Sequence, residues 1–240
     1  MFEDQKSRLL GALDLAHEAY YKDGIFGGPS LYFHLQSLDA ARNRQFDRFT
    51  ECTYAMLAAW GMHRMGSGGS KMREFDEFHS SMKKVWPLSV QLQEKTPGAL
   101  AEEDWRCLKS MFCEIRCMAT GTLLVGNSKV LAHLLPNLVP PVDREYTLTF
   151  LFGNKQITND IDREWQKLRQ ILECFFHPVV QHPVFQAKAG EWLAQRERFR
   201  WDTSQLKILD NLVIALSALS RIDKQDANVQ AAIAAFHGSH

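Results

Sequence analysis

Apolar residues recur every three or four positions along most of this chain, as they do in helices that turn one face towards a core. Residues 45–64 carry this pattern, and residues 101–120 and 208–219 repeat it. No segment alternates apolar and polar residues over the length of a strand, and no Asn-Gly hairpin turn occurs. The sequence therefore predicts an all-α fold with fewer than about a tenth of its residues in strands.

Residues that favour turns and helix caps divide the chain into about ten predicted helices. A proline fits the first turn of a helix, where its missing N–H has no partner to lose, and Ser or Thr caps a helix start. The expected features are a helix over 5–22 that ends at Asp23-Gly24, a helix start at Pro29, a Gly/Ser loop at 66–70, a charged helix over 71–82, and an N-cap at Thr203 or Ser204 for the last helix.

The length and composition predict one compact unit. The chain has 240 residues, 45% of them hydrophobic, and no repeat or long linker separates two independent parts. We therefore expect a single all-α domain over residues 1–240, with a division into two lobes as the alternative. No apolar run reaches the roughly 18 residues that cross a bilayer, and the start MFEDQKSRLL is unlike a secretory signal, so no membrane partner is expected.

Charge and cysteine content narrow the class of function. Lys plus Arg equals Asp plus Glu at 28 each, which argues against coating nucleic acid by charge alone but allows a DNA enzyme with one basic face. Five cysteines without disulfide-like spacing indicate reduced thiols and a cytoplasmic location. Cys107, Cys113 and Cys117 are interpreted as core residues rather than metal ligands. Since no Walker, Rossmann or HExxH pattern occurs, neither a metal nor a cofactor is predicted.

The segment from 121 to 153, GTLLVGNSKVLAHLLPNLVPPVDREYTLTFLFG, has the most unusual order of features. Gly121 to Asn127 is interpreted as a tight connection, after which Ser128 caps a short helix over 128–135 that contains Lys129. Three prolines then force an extended passage. Asp143 follows that passage and directly precedes a helix predicted over 144–152.

This order of helix, tight hairpin, lysine-bearing helix, extended proline loop and aspartate resembles the helix-hairpin-helix DNA glycosylases, the superfamily of endonuclease III and 8-oxoguanine glycosylase. The resemblance implies a helix-hairpin-helix-like core over residues 106–152. It implies that Asp143 and Lys129 are catalytic. It further implies a hairpin and an adjoining helix start that grip DNA through Gly126, Asn127, Ser128 and Arg144.

Further segments point to a narrower group within that resemblance. The run from Tyr54 to Gly66, the SKVLAHLLP…PPVDREYT stretch and Lys207 to Asn211 look like a bacterial protein family similar to anti-phage glycosylases, which excise modified bases from viral DNA. The expected partner is then double-stranded DNA with a flipped base, phage DNA included, and no obligate protein partner. The expected product is an abasic site.

The chemistry that the resemblance implies needs a carboxylate and a base pocket. Breaking an N-glycosidic bond leaves positive charge on the sugar, which a carboxylate stabilises, while a lysine either attacks the sugar carbon or binds phosphate. A flipped base also needs a pocket of aromatic and polar side chains. The residues expected in that pocket are Tyr32, His34, Trp60, His63, Arg64, Tyr146 and Asp210.

Each of these residues also has a structural interpretation. Asp143 after Pro-Pro-Val is equally a plain helix cap, and Lys129 on a helix surface is by default a solvated lysine. Trp60 has the spacing of a core residue, and Asp210 is well placed to cap or bridge buried helix ends.

Two other functions compete with the glycosylase. Arg73 and His79, six residues apart on a predicted helix, resemble the active-site motif of HEPN ribonucleases, which are all-α and common in phage defence. A non-catalytic DNA-binding module, in which residues 121–150 only grip phosphate, is the other alternative.

Overall fold

The computed structural model describes residues 1–22, 27–63, 65–66, 69–119 and 122–237, and most of the described residues lie in helices. The prediction of an all-α fold is confirmed. The α-helices in chain order are α1 (Phe2–Leu10), α2 (Leu13–Lys22), α3 (Pro29–Arg42), α4 (Phe46–Ala59), α5 (Phe75–Ser89), α6 (Glu102–Glu114), α7 (Leu123–Leu134), α8 (Thr149–Phe152), α9 (Ile161–Ile171), α10 (His177–Val180), α11 (Pro183–Leu193) and α12 (Gln205–His237).

Shorter elements complete the architecture. The strands β1 (Met65–Gly66) and β2 (Gly69–Ser70) pair antiparallel, within the predicted limit for strand content. The 3₁₀ turns are Val90–Leu92 and Pro97–Ala99, and the π-helical turns are Arg144–Leu148 and Leu172–Phe176. No helix in the described ranges is both long and apolar enough to cross a lipid bilayer.

Several predicted boundaries are wrong by a few residues. The helix expected over 5–22 is two helices, broken around Gly11, and the charged helix expected over 71–82 starts only at Phe75 and continues to Ser89. The start at Pro29 is confirmed. Of the two N-caps proposed for the last helix, Ser204 accepts a hydrogen bond from the Lys207 N–H at 3.1 Å.

The central helix is α7, which packs against α3, α4, α6 and α9. Every residue from Leu124 to Leu134 is buried, polar residues included, as expected for a helix enclosed on all sides. One cluster of buried apolar side chains surrounds it and extends from Leu9 on α1 to Leu216 on α12.

The tight connection predicted over 121–127 is wrong. Residues 123–127 lie instead in α7, and the described residues before that helix, 115–119, run beside residues 71–73. There the Arg73 N–H donates to the Cys117 carbonyl at 3.0 Å, and the Ala119 N–H donates to the Lys71 carbonyl at 2.8 Å. The sequence Gly-Asn-Ser suggested a turn, but the apolar residues around it bury the segment as helix.

The first half of α12 is buried from Leu206 to Ser217. It contacts α2, α11 and the π-helical turn Arg144–Leu148. Through that turn, α12 lies beside the chain segment that follows the proline-bearing passage. The C-terminus of α4, the start of α12 and the middle of α7 therefore meet around residues 141–146.

Candidate active site

A cavity of about 580 Å³ lies where these elements meet, a size typical of small-molecule sites. The end of α4, the middle of α7, the residues around Asp143 and the start of α12 each contribute side chains. The lining residues are Tyr20, Trp60, Gly61, Met62, Lys129, Pro141, Asp143, Arg144, Glu145, Tyr146, Lys155, Trp201, Lys207, Asp210 and Ile214.

The C-terminus of α4 places Trp60 and Met62 on the cavity wall. Gly61 has φ +77°, a left-handed conformation that glycine adopts without steric cost. The Met62 N–H donates to the Leu57 carbonyl at 3.0 Å and the Gly61 N–H to the Ala58 carbonyl at 2.9 Å, which is a Schellman motif. The glycine therefore ends the helix and turns the chain at the cavity.

Asp143 is fixed at the N-terminus of the π-helical turn. Its Oδ1 accepts a hydrogen bond from the Glu145 N–H at 2.7 Å, so the predicted capping role is real. The preceding Val142 N–H donates to the Ser128 hydroxyl of α7 at 3.0 Å, which ties this segment to the central helix. One carboxylate oxygen is thus used by the backbone, and the other faces Lys129.

Lys129 reaches the same cavity from the middle of α7. Its Nζ lies 3.3 Å from Asp143 Oδ2, 3.8 Å from Met62 Sδ and 5.5 Å from the centre of the Trp60 ring. The side chain of Lys129 is 8% exposed and that of Asp143 is 31% exposed. The pair therefore sits between the buried interior and solvent, where a substrate can reach the carboxylate.

A second lysine–carboxylate pair lies deeper in the cavity. Lys207 Nζ is 2.8 Å from Asp210 Oδ2, both on the first turns of α12, and both side chains are almost completely buried. Burial raises the pKa of Asp210, while the ammonium of Lys207 opposes that shift; Asp143 raises it further. The Asp143 and Asp210 carboxylates are thus close enough to influence each other.

Two polar hydrogens near this second pair have no partner. Among the described residues, the Tyr20 hydroxyl and the Trp60 indole nitrogen are buried without a hydrogen bond, and both residues line the cavity. Tyr20 is 4% exposed. Its pKa is raised by burial and by the nearby carboxylates of Asp210 and Asp202. An unpaired buried polar group costs free energy, so such groups need an explanation at this site.

The lining residues divide by depth into two zones. Arg144, Glu145 and Lys155 form the cavity mouth, where Glu145 also pairs with Arg221 at 2.7 Å and with Lys155. Tyr20, Lys207 and Asp210 form the cavity floor, and each is no more than 6% exposed. The Lys129–Asp143 pair lies between the charged mouth and the buried floor.

A chain of hydrogen bonds runs behind the Trp60 wall. His34 Nδ1 lies 2.7 Å from His133 Nε2, His133 Nδ1 lies 2.7 Å from the Lys129 carbonyl, and His34 Nε2 lies 3.1 Å from the Thr203 hydroxyl. The carbonyl can only accept, so His133 Nδ1 carries a proton and its Nε2 accepts from His34. Both rings are then neutral, and burial correspondingly lowers the pKa of both histidines, that of His133 to about 4.

Three of the seven residues expected in the base pocket line the cavity, as do the two residues expected to be catalytic and one residue expected to grip DNA. Trp60, Lys129, Asp143, Arg144, Tyr146 and Asp210 all line the cavity. His34 lies one layer behind it, against the Trp60 and Trp201 rings.

The remaining pocket residues are not brought to the cavity. Tyr32 is 58% exposed on α3 beside Phe33, away from the lining, so its expected pocket role is wrong. His63 is exposed, with its Nδ1 2.7 Å from the Ala58 carbonyl, and is likewise no lining residue. Arg64 lies outside the described residues.

The expected DNA grip by Gly126, Asn127 and Ser128 is also wrong, because all three are buried inside α7. A Cβ on Gly126 would lie 2.6 Å from Met118 Cγ, so this glycine allows the non-helical segment around Met118 to pack closely against α7. Asn127 donates to the Phe112 carbonyl at 2.7 Å and thereby caps α6. These residues organise the core that holds Lys129 rather than a phosphate.

The ribonuclease motif does not form as predicted. Arg73 precedes α5 whereas His79 lies within it, so Arg73 and His79 do not share a helix. Arg73 Nε donates to the Met118 carbonyl at 3.1 Å, and Arg73 Nη1 pairs with Glu77. His79 Nδ1 lies 3.1 Å from the Thr50 hydroxyl. Each side chain thus has separate structural partners.

The cavity floor contains residues that sequence reasoning missed. Lys207 shares a helix face with Asp210 at i, i+3 spacing, and this signal could have placed it in the site. Tyr20 comes from the second helix, and no local pattern connects it with a site about 190 residues further along the chain. Its position follows only from the packing of α2 against α12.

Metal ligation has no geometric support in the part of the chain that is described. No group of three or more His, Cys, Asp or Glu side chains there is arranged to hold an ion. Cys117 is buried and donates to Asn127 at 3.3 Å, and burial raises its pKa to about 12. Cys107 and Cys117 thus lie in the core, as interpreted from the sequence, and Cys113 is half-buried.

Comparison of the chain with protein-family models, curated proteins and solved structures finds no match. The functional argument therefore depends on the site itself: a charge pair of lysine and aspartate, an aromatic wall and a buried polar floor around one cavity.

Proposed function

We propose that this protein is a DNA glycosylase that cleaves the N-glycosidic bond of a flipped, modified base, with Asp143 and Lys129 as its catalytic residues. The observation that carries the proposal is the 3.3 Å approach of Lys129 Nζ to Asp143 Oδ2 on the wall of an aromatic-lined cavity. A resemblance based only on residue order did not require these two side chains to meet.

The cavity has the properties that a flipped base needs. Its wall includes the rings of Trp60, Tyr146 and Trp201, which offer flat surfaces to a heteroaromatic ring. Its floor is polar and buried, where hydrogen bonds discriminate between bases more strongly than they do in water. The sugar of a base inserted from the mouth would then lie beside the Lys129–Asp143 pair.

The carboxylate of Asp143 is placed to stabilise the departing base's sugar. As the C1′–N bond breaks, its electron pair leaves with the base and positive charge develops on the sugar. Asp143 Oδ2 can offset that charge or orient an attacking water, while Oδ1 remains held by the Glu145 N–H. A preorganised group of this kind needs no rearrangement during the reaction.

The role of Lys129 distinguishes two variants of the mechanism. In a bifunctional enzyme, Asp143 accepts a proton from Lys129, the free amine attacks C1′, and the base leaves with the electron pair of the C1′–N bond. The Lys129 nitrogen then gives a proton to the departing base, its lone pair forms a protonated imine as the C1′–O4′ bond breaks, and O4′ takes up the proton from Asp143. In a monofunctional enzyme, water attacks instead and Lys129 only positions Asp143. Borohydride reduces the imine to a stable protein–DNA adduct, so trapping separates the two.

The surface beside the mouth supports DNA as the partner. Arg144 lines the mouth and also an adjoining open groove that contains Arg163 and Lys167. These three cations lie together in a protein whose overall net charge is zero, and they favour the binding of phosphate there. A DNA backbone lying in this groove would present a flipped nucleotide to the cavity.

The decisive experiment is the Asp143→Asn variant. Asn caps a helix about as well as Asp, so the fold should persist. Loss of the charge should slow base release about a hundredfold, on the order of 3 kcal/mol. Wild type and variant are incubated with duplexes carrying modified bases, including modified phage DNA, and abasic sites are revealed by alkali.

The matched control is Asp160→Asn, because Asp160 caps α9 through the Arg163 N–H at 2.9 Å but does not line the cavity. It should leave base release unchanged. Normal release by Asp143→Asn would show that another carboxylate acts, and unfolding of that variant would assign Asp143 a structural role. DNA binding by the wild type without base release from any duplex would favour the non-catalytic DNA-binding module.

A further inference from the structure

The cavity floor holds more hydrogen-bonding capacity than the protein uses. The Tyr20 hydroxyl has no partner although the residue is 96% buried, and the Trp60 indole N–H is unpartnered on the adjoining wall. Lys207 Nζ lies 5.9 Å from the centre of the Tyr20 ring and bonds Asp210 at 2.8 Å. Donors therefore gather at one end of the cavity.

The type of these groups restricts the ligand. An indole N–H and an ammonium can only donate hydrogen bonds, and a tyrosine hydroxyl donates readily. A purely apolar ligand would leave these hydrogens unpaired, and so would a ligand that offers only N–H donors. A group with accessible lone pairs, such as a carbonyl or hydroxyl oxygen, satisfies them.

We propose that the cavity floor recognises an oxygen substituent on the substrate base, with the Tyr20 hydroxyl as the donor and Lys207 beside it. This inference rests on the proposed function for the identity of the substrate as a base. The substrate class is then an oxo- or hydroxyl-bearing base. A base without such an oxygen can offer only its ring nitrogens to these donors and should bind less tightly.

Asp210 acts here as a positioning residue. Its carboxylate holds the Lys207 ammonium at 2.8 Å, and Asn211 binds the same ammonium and donates to Asp202 at 3.0 Å. This network fixes the lysine without using Tyr20. A substrate oxygen therefore meets a rigid ammonium and a free hydroxyl.

The test uses Tyr20→Phe, which removes only the hydroxyl. The probes are the free bases hypoxanthine and 8-oxoguanine, with purine and adenine as bases that lack an oxygen, and calorimetry measures their binding. Wild type should bind an oxygen-bearing base more tightly than purine. Tyr20→Phe should weaken that binding about tenfold and leave purine binding unchanged.

Stability provides a second measurement. Because the hydroxyl has no partner, Tyr20→Phe should be at least as stable as wild type in denaturant unfolding. Tyr54→Phe is the matched control, since that hydroxyl donates to the Arg73 carbonyl at 2.7 Å and its loss should destabilise the protein. A Tyr20→Phe variant as destabilised as Tyr54→Phe would show that the hydroxyl is structural and would overturn the inference.

The two proposals fail in different ways. Suppose that wild type releases bases but that wild type and Tyr20→Phe bind hypoxanthine equally well. This result would refute the proposed recognition site and support the proposed glycosylase activity. If binding of the oxygen-bearing bases depends on Tyr20 but no duplex releases a base, the recognition site is supported and the glycosylase activity is refuted. Failure of both oxygen-bearing bases to bind better than purine would overturn the recognition site.

Discussion

Two buried polar regions lie side by side in this protein, and they differ in whether their polar groups have hydrogen-bond partners. Inside α7, Asn127, Ser128 and His133 each bond to a named backbone or side-chain partner. On the adjoining cavity, the Tyr20 hydroxyl and the Trp60 indole nitrogen have none. The polar atoms concerned are buried in both regions, so burial alone does not explain the difference.

The difference separates structural polar groups from binding groups. An unpaired buried donor costs about 1–3 kcal/mol, so a core that only needs to fold pairs its polar atoms. A site that binds a ligand leaves donors for that ligand and is less stable when empty. The unpaired groups of the cavity are therefore informative in a way that the paired groups of α7 are not.

Among these predictions, a fall in pH should cause the largest change in the free energy of unfolding. His133 has a pKa of about 4 in the folded protein and an ordinary value of 6.5, so the unfolded chain binds its proton more readily. Protonation then favours unfolding, and stability falls as the pH drops from 6.5 towards 4. This histidine alone contributes about 3 kcal/mol to that fall, and His34 shifts in the same direction.

Denaturant unfolding across this pH range, with the histidine pKa values measured by NMR, checks the prediction. His133→Gln should flatten the pH dependence of the unfolding free energy, whereas the exposed control His182→Gln should not. Titration of folded His133 near 6.5 would contradict the argument that burial holds this histidine of α7 neutral.

A smaller effect is expected when one paired group of α7 is removed. Asn127→Ala leaves the Phe112 and Ile115 carbonyls without their side-chain donor and opens a small void. We expect a loss of about 2 kcal/mol in unfolding free energy. The control Asn43→Ala removes an exposed amide bonded to Asp39 and should change stability by less than about 0.5 kcal/mol. Equal effects would contradict a structural role for buried Asn127.

The sequence predicted the fold class correctly but the conformation of residues 126–128 wrongly, because in both cases the prediction used only local patterns. Apolar periodicity identifies helices, and it correctly predicted helices around Trp60 and Leu212. Gly126-Asn127-Ser128 has turn-forming residues, however, and their burial depends on packing against α3, α4, α6 and α9, of which only α6 is close in sequence. Local propensity favoured a hairpin, and tertiary packing made a helix.

The candidate site was predictable only where local order sets geometry. Pro141 and the following residues fix Asp143 at a helix start, so its position follows from the nearby sequence. The neighbouring residues predicted a short helix that contains Lys129, and the resemblance implied its catalytic role. Its approach to Asp143 follows from the longer helix α7. Tyr20 and Trp201 join the cavity through contacts between distant helices, which one sequence cannot reveal.

The smallest expected effect on stability concerns Ser128, which joins the two regions. Its hydroxyl accepts from the Val142 N–H at 3.0 Å and donates to the Val125 carbonyl at 3.2 Å, so Ser128→Ala leaves a buried backbone N–H unpaired. We expect a loss of about 1 kcal/mol in unfolding free energy. Since Val142 directly precedes Asp143, this change should also loosen the carboxylate.

Base release should therefore slow more in Ser128→Ala than its small stability loss explains, while the KM for the duplex stays unchanged. The matched control is Ser110→Ala on α6, where an exposed hydroxyl donates to the Arg106 carbonyl at 3.0 Å without reaching the cavity. Single-turnover rates and unfolding curves for both variants separate positioning from stability. If Ser128→Ala and Ser110→Ala release the base at the same single-turnover rate, the buried polar groups of α7 only stabilise the fold. The position of Asp143 would then depend on its own helix cap.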